Sequence, residues 1–239
     1  PAHQVAKSNP NLQHLRSVKE PEELEVMQHA CRITEKGFKR ILEFVKPGVM
    51  EYEIEAEFMH EFLSNRSRGF AYTPIVASGK NATVLHYIEN KNQCKEDELI
   101  LLDVGAEYAN YASDMSRVVP VNGRFTKRQK EIYNAVKRVK DKATKLLVPG
   151  AYWKSYHEEV GDLMTDELLN LGLLDKADVK NQNPDWPAYK KYFMHGTSHH
   201  IGLDTHDYGL LHEPIEADQV FTVEPAIYLP DEGFGIRLE

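Results

Sequence analysis

Hydrophobic residues recur at helical spacing in two long stretches, and each stretch ends at a Pro-Gly pair. The first predicted helix begins at Pro21, because proline suits the first turn of a helix, and it ends at Pro47-Gly48. The second begins after Thr126, which we interpret as an N-cap, and ends at Pro149-Gly150. The pattern therefore predicts two long helices with similar endings.

A shorter helix and then strands are predicted to follow each long helix. The shorter helices are residues 52–63 and 154–171, and strands are expected over residues 69–77 and after Tyr192. The two Pro-Gly pairs, at positions 47 and 149, lie 102 residues apart. We interpret this repeat as an internal duplication with a pseudo-twofold axis. Coincidence is the alternative, because Pro-Gly is common after helices.

A predicted hairpin in the first half carries two acidic residues. One apolar strand ends in Asp103, and the next strand begins near Asp114. A hairpin centred between Tyr108 and Ala109 places these acids directly opposite each other, with Cβ atoms about 4.5–5.5 Å apart. Two carboxylates so placed repel each other unless a proton or a cation lies between them.

A second predicted hairpin, at the end of the sequence, repeats this arrangement. An apolar strand ends in Glu224, and an alternating strand ends in Glu239. A hairpin centred between Asp231 and Glu232 places Glu224 opposite Glu239. A single acid at a strand end is usually a solvated residue, but two facing pairs in a duplicated chain indicate a functional site.

Histidines are concentrated in one segment. Five of the eleven histidines lie between His195 and His212, among glycines that allow close approach. Four carboxylates and one neutral imidazole could hold two divalent ions about 3.5–4 Å apart. Sequence spacing does not identify the histidine ligand, nor does it show that the hairpins approach this segment. A loop of exposed histidines and a single-metal site with two histidines both stay open.

Composition narrows the functional classes. The net charge of −8 over 239 residues argues against a general nucleic-acid binder, which would carry a basic surface. No apolar run approaches the roughly 20 residues of a membrane-spanning helix, so no membrane partner is expected. Two cysteines do not form a disulfide framework, and a cytoplasmic location is the simplest interpretation.

Five ordered motifs resemble the family of methionine aminopeptidase, aminopeptidase P, prolidase and creatinase, over about residues 18–239. The motifs are Leu102-Asp103-Val104-Gly105, Ser113-Asp114-Met115-Ser116-Arg117, His195-Gly196-Thr197-Ser198-His199, Val223-Glu224-Pro225 and Ile236-Arg237-Leu238-Glu239. The resemblance implies the α+β pita-bread fold, in which helices flank a curved antiparallel sheet with an internal pseudo-twofold duplication.

The resemblance also implies the metal ligands and the chemistry. Transferred position by position, the ligands are Asp103, Asp114, His199, Glu224 and Glu239, which hold two divalent ions, most commonly Mn²⁺, with Co²⁺ or Zn²⁺ also found. Asp114 and Glu239 bridge the two ions. In this family a metal-bridged hydroxide attacks the peptide carbonyl, and Glu224 transfers a proton to the leaving nitrogen.

Further residues match positions on the substrate side of the family's site. His206 and His195 match catalytic histidines that contact the substrate or the developing oxyanion. His86, Tyr228 and Arg237 match the substrate-binding and supporting positions. Without the other motifs, His86 would be interpreted as a buried histidine of the core.

Within the family, residues 198–207 resemble bacterial aminopeptidase P most closely. The expected substrates are peptides with proline at the second position, cleaved at the N-terminal Xaa-Pro bond. Prolidase, an Xaa-Pro dipeptidase that usually carries glycine where Ser198 stands, is the alternative. Methionine aminopeptidase and a non-catalytic peptide-binding module fit less well, and a homodimer or higher homo-oligomer is compatible with the sequence.

Two domains are expected from the composition and the resemblance. Residues 1–18 are polar and mixed, and we interpret them as a linker or the remnant of a missing N-terminal domain. Residues 19–239 are the expected metallopeptidase catalytic domain, truncated at its C-terminal end because relatives continue beyond the last ligand.

Overall fold

The computed structural model describes residues 9–239, which form six α-helices and eight β-strands. The helices are α1 (Asn9–Ser17), α2 (Pro21–Phe44), α3 (Glu51–Ser64), α4 (Lys127–Leu146), α5 (Trp153–Asn170) and α6 (Lys176–Lys180). The strands are β1 (Gly69–Phe70), β2 (Ile75–Ser78), β3 (Leu99–Asp103), β4 (Ala106–Tyr108), β5 (Tyr111–Ala112), β6 (Ser116–Pro120), β7 (Ala226–Leu229) and β8 (Phe234–Arg237). All strand pairs are antiparallel, in the orders β1-β4-β5, β2-β3-β6 and β7-β8.

The two halves repeat the same backbone hydrogen bonds after their long helices. Gly48 donates to the carbonyl of Cys94 at 2.9 Å, and Gly150 donates to the carbonyl of Ile215 at 2.8 Å. Cys94 and Ile215 each return a bond of 2.8 Å to the carbonyl that follows the glycine. Both glycines have a positive φ, +95° and +90°, which glycine adopts without strain. These matching exchanges confirm the predicted duplication.

Strand β3 lies between the two halves, and its side chains alternate between their cores. Ile100 and Leu102 pack in the cluster formed with α2 and α3, whereas Leu99 and Leu101 pack in the cluster formed with α4 and α5. All four residues are at most 1% exposed. Successive residues of a strand point to opposite faces, so a strand covered on both faces is apolar throughout. This explains the unbroken apolar run before Asp103.

The first hairpin has a different register from the one predicted. Tyr108 pairs with Tyr111, and Asp103 therefore lies opposite Ser116 rather than opposite Asp114. The turn residues Ala109 and Asn110 both have positive φ, +51° and +71°, as in the two-residue turns that match the twist of a hairpin. The centre of the hairpin is thus one residue later than we expected.

The second hairpin has the predicted register. Ala226 pairs with Arg237, and Tyr228 pairs with Gly235, which gives the same centre between Asp231 and Glu232. Continuing this register beyond the strands places Glu224 opposite Glu239. The predicted facing arrangement of these two acids is confirmed.

One strand prediction was wrong in extent. The strand expected over residues 69–77 is divided into β1 and β2, because Tyr72, Thr73 and Pro74 leave the ladder. The strands expected after Tyr192 are β7 and β8, which begin at Ala226. Residues 193–225 form no named strand, although extended segments pair there at bridges such as His200 with Phe221.

The predicted leader contains a helix that the sequence prediction did not include. Residues 1–8 lie outside the described part of the chain, and Asn9–Ser17 forms α1. The interpretation of residues 1–18 as a domain remnant stays a prediction. Among the described residues, no helix combines the length and the apolar character needed to cross a membrane.

A buried carboxylate at the start of α3 ties three segments together. Glu51 is 0% exposed, and it lies at the positive end of the helix. Its two oxygens accept five hydrogen bonds of 2.7–3.1 Å, which come from the backbone and hydroxyl of Ser78, the amide of Asn81, the hydroxyl of Tyr87 and the backbone of Asn92. All five bonds need an acceptor at this position, which both oxygens of a carboxylate provide.

Replacing Glu51 with glutamine should lower the free energy of unfolding by about 2–4 kcal/mol, because an NH₂ group would face donors and leave them unsatisfied. Urea unfolding followed by circular dichroism measures the loss. Glu57→Gln is the matched control in the same helix, since Glu57 pairs with Arg40 at the surface and such pairs contribute less than about 1 kcal/mol. Equal losses in the two variants would contradict the role of this network.

Candidate metal centre

A cavity of about 750 Å³ contains most of the residues singled out in the sequence. Eight of the ten line it: His86, Asp103, Asp114, His195, His199, His206, Glu224 and Arg237. The remaining two lie directly behind this wall, Glu239 beside Asp114 and Tyr228 beside His195. The structure thus brings all ten residues to one place.

The first hairpin carries Asp103 and Asp114 on the same side, although they are not directly opposite. Asp114 lies two residues before Ser116, the partner of Asp103, and a displacement of two residues keeps a side chain on the same face. The hydroxyl of Tyr72 contacts Oδ1 of Asp103 at 2.6 Å and Oδ1 of Asp114 at 2.5 Å. Burial, followed by the charges of the two aspartates, raises the pKa of Tyr72, so its hydroxyl keeps its proton.

Arg237 compensates the charge of Asp103. Its Nη2 donates to Oδ2 of Asp103 at 2.5 Å, its Nε donates to Oγ of Ser116 at 2.9 Å, and its Nη1 donates to Oη of Tyr228 at 2.8 Å. Burial raises the pKa of Asp103, Arg237 opposes this effect, and Asp114 adds to it. Each polar face of the buried guanidinium therefore has a partner.

Asp114, His199 and Glu239 form the tightest group of potential ligands. One ligand atom from each lies within 4.8 Å of the other two. Nε2 of His199 is 3.4 Å from Oδ2 of Asp114 and 3.5 Å from Oε1 of Glu224. Nδ1 of His199 contacts the carbonyl of His200 at 2.9 Å, and a carbonyl only accepts, so Nδ1 carries hydrogen. Nε2 is therefore the atom that faces the acids, as in metal-binding histidines.

The acids of this group are not fully compensated by protein donors. Oε1 of Glu239 is buried and has no hydrogen-bond partner among the described residues. Burial raises the pKa of Glu239 well above its usual range, and Asp114 and Glu224 raise it further. Burial also raises the pKa of Glu224 to about 7, although Arg237 and His199 oppose this effect. An unpaired buried oxygen among several carboxylates fits a hard divalent cation.

Burial lowers the pKa of His199, but the hydrogen bonds to Asp114 and His200 and the charge of Glu224 outweigh burial and raise it. A positive charge is thus favoured at Nε2. A metal ion supplies that charge while the imidazole stays neutral.

Backbone pairing aligns the segment of His199 with the segment of Glu224. Thr222 donates to the carbonyl of His199 at 3.0 Å, and Glu224 donates to the carbonyl of Thr197 at 2.7 Å. The amide of Glu239 donates to the carbonyl of Ser116 at 3.1 Å and so joins the two hairpins. These bonds hold the two hairpins close to the histidine segment, which sequence spacing could not show.

Two further histidines are held in the neutral form. His195 donates from Nδ1 to the carbonyl of Gly196 at 2.8 Å, so in the neutral imidazole Nε2 accepts from the hydroxyl of Tyr228 at 2.9 Å, and the oxygen of that hydroxyl accepts from Arg237. Burial lowers the pKa of His195 to about 4. Burial also lowers the pKa of His206, whose ring lies 4.2 Å from that of His199, centroid to centroid.

Sequence analysis missed several residues that support the site. Tyr72 contacts the two aspartates, and Ser116 accepts a hydrogen bond from Arg237. Tyr156 forms a hydrogen bond of 2.7 Å with Ser198 in the cavity wall. The proline at position 74 was the available signal for Tyr72, because it breaks the strand pattern there. Ser116 belongs to a recognised motif, but its contact with Arg237 joins residues 121 positions apart.

The sequence profile of metallopeptidase family M24 matches residues 25–239. Xaa-Pro aminopeptidase of Haemophilus influenzae is 39% identical over 242 residues, which cover 96% of this chain and 56% of that protein. The chain therefore spans about half the length of this relative.

Solved structures give the same result. Proline aminopeptidase P II from Yersinia pestis superposes with a TM-score of 0.91 at 36% identity, over 97% of this chain and 56% of that one. Zinc-substituted aminopeptidase P of E. coli in complex with product has a TM-score of 0.90 at 37% identity, over 97% and 55%. The α+β pita-bread fold predicted from the motifs is confirmed, and the chain belongs to metallopeptidase family M24.

Proposed function

We propose that the protein is a metal-dependent aminopeptidase that hydrolyses the N-terminal Xaa-Pro bond of peptides. The observation that carries the proposal is the convergence of five potential metal ligands, Asp103, Asp114, His199, Glu224 and Glu239, in and directly behind one cavity of a family M24 chain. The relatives described above are named for Xaa-Pro cleavage, which favours this specificity within the family. The manganese preference and the cytoplasmic location stay predictions.

The five residues would hold two divalent ions. Their ligands would be Asp103, Asp114, His199, Glu224 and Glu239. Mn²⁺ is our first choice, with Co²⁺ or Zn²⁺ as alternatives, and the zinc-substituted relative shows that one such enzyme accepts zinc. When bound, the ions would supply a nucleophile at neutral pH and a Lewis acid for the scissile carbonyl.

Glu224 is the proposed proton carrier. Its carboxyl lines the cavity, where a general base must lie to reach the reacting groups, and it is 3.5 Å from Nε2 of His199. It would accept the proton of the attacking water and transfer it to the leaving nitrogen. That nitrogen belongs to proline, and like the nitrogen of any peptide bond it must gain a proton to leave as an amine.

The neutral histidines are the proposed partners of the reacting carbonyl. His206 lies beside His199 and would donate a hydrogen bond to the developing oxyanion. His195 would hold the substrate, oriented by Tyr228 and Arg237. Tyr228 is 1% exposed, and its contacts support a positioning role; direct binding of the substrate by Tyr228 or Arg237 stays a prediction.

The apolar part of the cavity wall suits a substrate with an apolar ring. Ile75, Leu85 and Ile88 line it together with His86. Apolar walls with a few polar groups are typical of small-ligand sites, where the polar groups determine orientation. We propose that this wall receives the residues on either side of the scissile bond and that His86 contacts their backbone.

Cleavage of three peptides tests the specificity. The purified chain with Mn²⁺ should release the first residue from Xaa-Pro-Yaa, and chelation should abolish the release. Mass spectrometry of the products measures each reaction. Preferential cleavage of Xaa-Pro would indicate a prolidase, and preferential cleavage of Met-Ala-Yaa would indicate a methionine aminopeptidase. Inactivity with metal restored would contradict the proposal for this chain.

Replacing Glu224 with glutamine should lower kcat by about 10²–10⁴-fold, because glutamine cannot carry the proton. Initial rates on Xaa-Pro-Yaa at saturating Mn²⁺ measure the effect. Glu213→Gln is the control, since Glu213 is exposed and lies outside the cavity lining. A Glu224→Gln enzyme with near-normal kcat would remove this residue from the proton transfer.

Metal binding should stabilise the fold, because a cation relieves the repulsion among buried carboxylates. Mn²⁺ should therefore raise the Tm of the native chain, measured by differential scanning calorimetry. The gain should shrink strongly in Asp114→Asn and in Glu239→Gln, and it should persist in Glu213→Gln. A Tm that Mn²⁺ shifts equally in all four proteins would show that the ion binds elsewhere.

A further inference from the structure

The loop that carries His206 is organised by the side chain of Asp207. Residues 203–208 form no helix or strand, and the side chain of Asp207 is only 1% exposed. Its Oδ2 accepts from the amide of Leu203 at 3.1 Å, and its Oδ1 accepts from the amide of Tyr208 at 2.7 Å. The amide of Asp207 donates to the carbonyl of His200 at 2.9 Å. The loop is thus closed around this carboxylate.

Two cations from the other end of the sequence pair with Asp207. Nη2 of Arg16 is 2.6 Å from Oδ1, and Nζ of Lys19 is 3.7 Å from Oδ2. Arg16 also pairs with Asp204 at 2.7 Å, and its guanidinium lies 4.8 Å from the centre of the Tyr208 ring. The side chain of Lys19 is 1% exposed, so its charge requires a partner in the interior.

The segment from Arg16 to Lys19 is itself attached to the body of the domain. The amide of Lys19 donates to the carbonyl of Asp218 at 2.9 Å, and Val18 forms an antiparallel bridge with Gln219. The following residues, 220–222, pair with residues 199–201 next to the metal centre. The cations are therefore held in register with the backbone of His199.

A glycine makes room for this ion pair. A Cβ at Gly202 would clash with the carboxylate of Asp207 and would lie 2.9 Å from Cε of Lys19. Lys19 and Asp207 can therefore approach this backbone closely only because position 202 is glycine.

We propose that Lys19 and Arg16 are positioning residues for the reaction, which act through Asp207 to hold His206 beside His199. The inference rests on the proposed function, since it assigns His206 a role at the reacting carbonyl. The His206 loop has no regular secondary structure of its own, and a misplacement of about 1 Å in a catalytic group is enough to reduce the rate about 10²-fold. Fixing Asp207 from two sides limits that movement.

Lys19→Met tests the positioning role in turnover, since methionine keeps an unbranched chain of similar length and removes the charge. We expect kcat on Xaa-Pro-Yaa to fall by about 10–100-fold with a smaller change in KM. The loss should disappear in a His206→Ala background, because a displaced His206 and an absent His206 have the same consequence. If the double variant instead lost kcat by the product of the two single-variant losses, the proposal would be overturned.

Lys39→Met is the matched control. Lys39 pairs with Glu35 on an exposed face of α2, so its replacement removes an equal charge without touching the loop. Its kcat and KM should equal those of the native chain. A comparable loss in Lys39→Met would attribute the effect of Lys19→Met to general electrostatics and contradict the proposal.

Hydrogen exchange separates this inference from the proposed function. In Lys19→Met the amides of residues 203–208 should exchange faster by mass spectrometry, while those of α4 are unchanged, whether or not the chain cleaves any peptide. Arg16→Gln should show the same faster exchange in a milder form, because the side chain of Arg16 is 23% exposed. It replaces Lys19→Met as the test variant if Lys19→Met does not fold. Unchanged exchange of the loop in the folded variants would overturn the proposal.

Discussion

Repulsion among four carboxylates in and directly behind one cavity is the constraint on which the rest of the structure depends. Two unit charges about 4 Å apart at a protein surface interact by roughly 4 kcal/mol, which is comparable with much of the stability of a domain. Asp103 has Arg237 as a permanent partner, whereas Oε1 of Glu239 has no partner among the described residues. Burial raises the pKa of Glu224 to about 7, and the charges of Asp114 and Asp103 add to this effect.

The duplicated fold explains why such an unfavourable cluster can be held in place. Each half contributes one hairpin, and the two meet where the amide of Glu239 donates to the carbonyl of Ser116. Strand β3 is buried by both cores, so the position of Asp103 at its end is supported from two sides. Packing over this interface supplies the hydrophobic free energy that opposes the repulsion, at roughly 25 cal/mol per Å² of buried apolar surface.

Local signals in the sequence predicted most of the helices and one hairpin. Thr126 caps α4 as expected, since its hydroxyl accepts from the amide of Gln129 at 3.2 Å. The second hairpin was placed correctly because its turn contains Gly233, whose φ is +74°. The first hairpin was displaced by one residue because its turn uses Ala109 and Asn110, and a non-glycine residue at positive φ leaves little trace in a sequence.

The candidate site was less accessible to sequence reasoning where its contacts are long-range. All ten residues found by motif lie at one cavity, but spacing alone did not select His199 among the neighbouring histidines. That choice follows from the bond of its Nδ1 to the carbonyl of His200, which directs Nε2 at the acids. Tyr72 was missed because its contacts are long-range, since its two aspartate partners are 31 and 42 positions away.

Arg237 shows how one residue links the two halves to the histidine at the cavity wall. Its three donor groups reach Asp103 and Ser116 on the first hairpin and Tyr228 on the second. A lysine has one ammonium at the end of a flexible chain and could not present donors in these three fixed directions. Burial lowers the pKa of His195 to about 4, and the charge of Arg237 adds to this effect. In the neutral form of His195, the hydroxyl of Tyr228 donates to Nε2 while its oxygen accepts from Arg237. The cation that balances Asp103 therefore also contributes to the neutral state of a histidine on the far side of Tyr228.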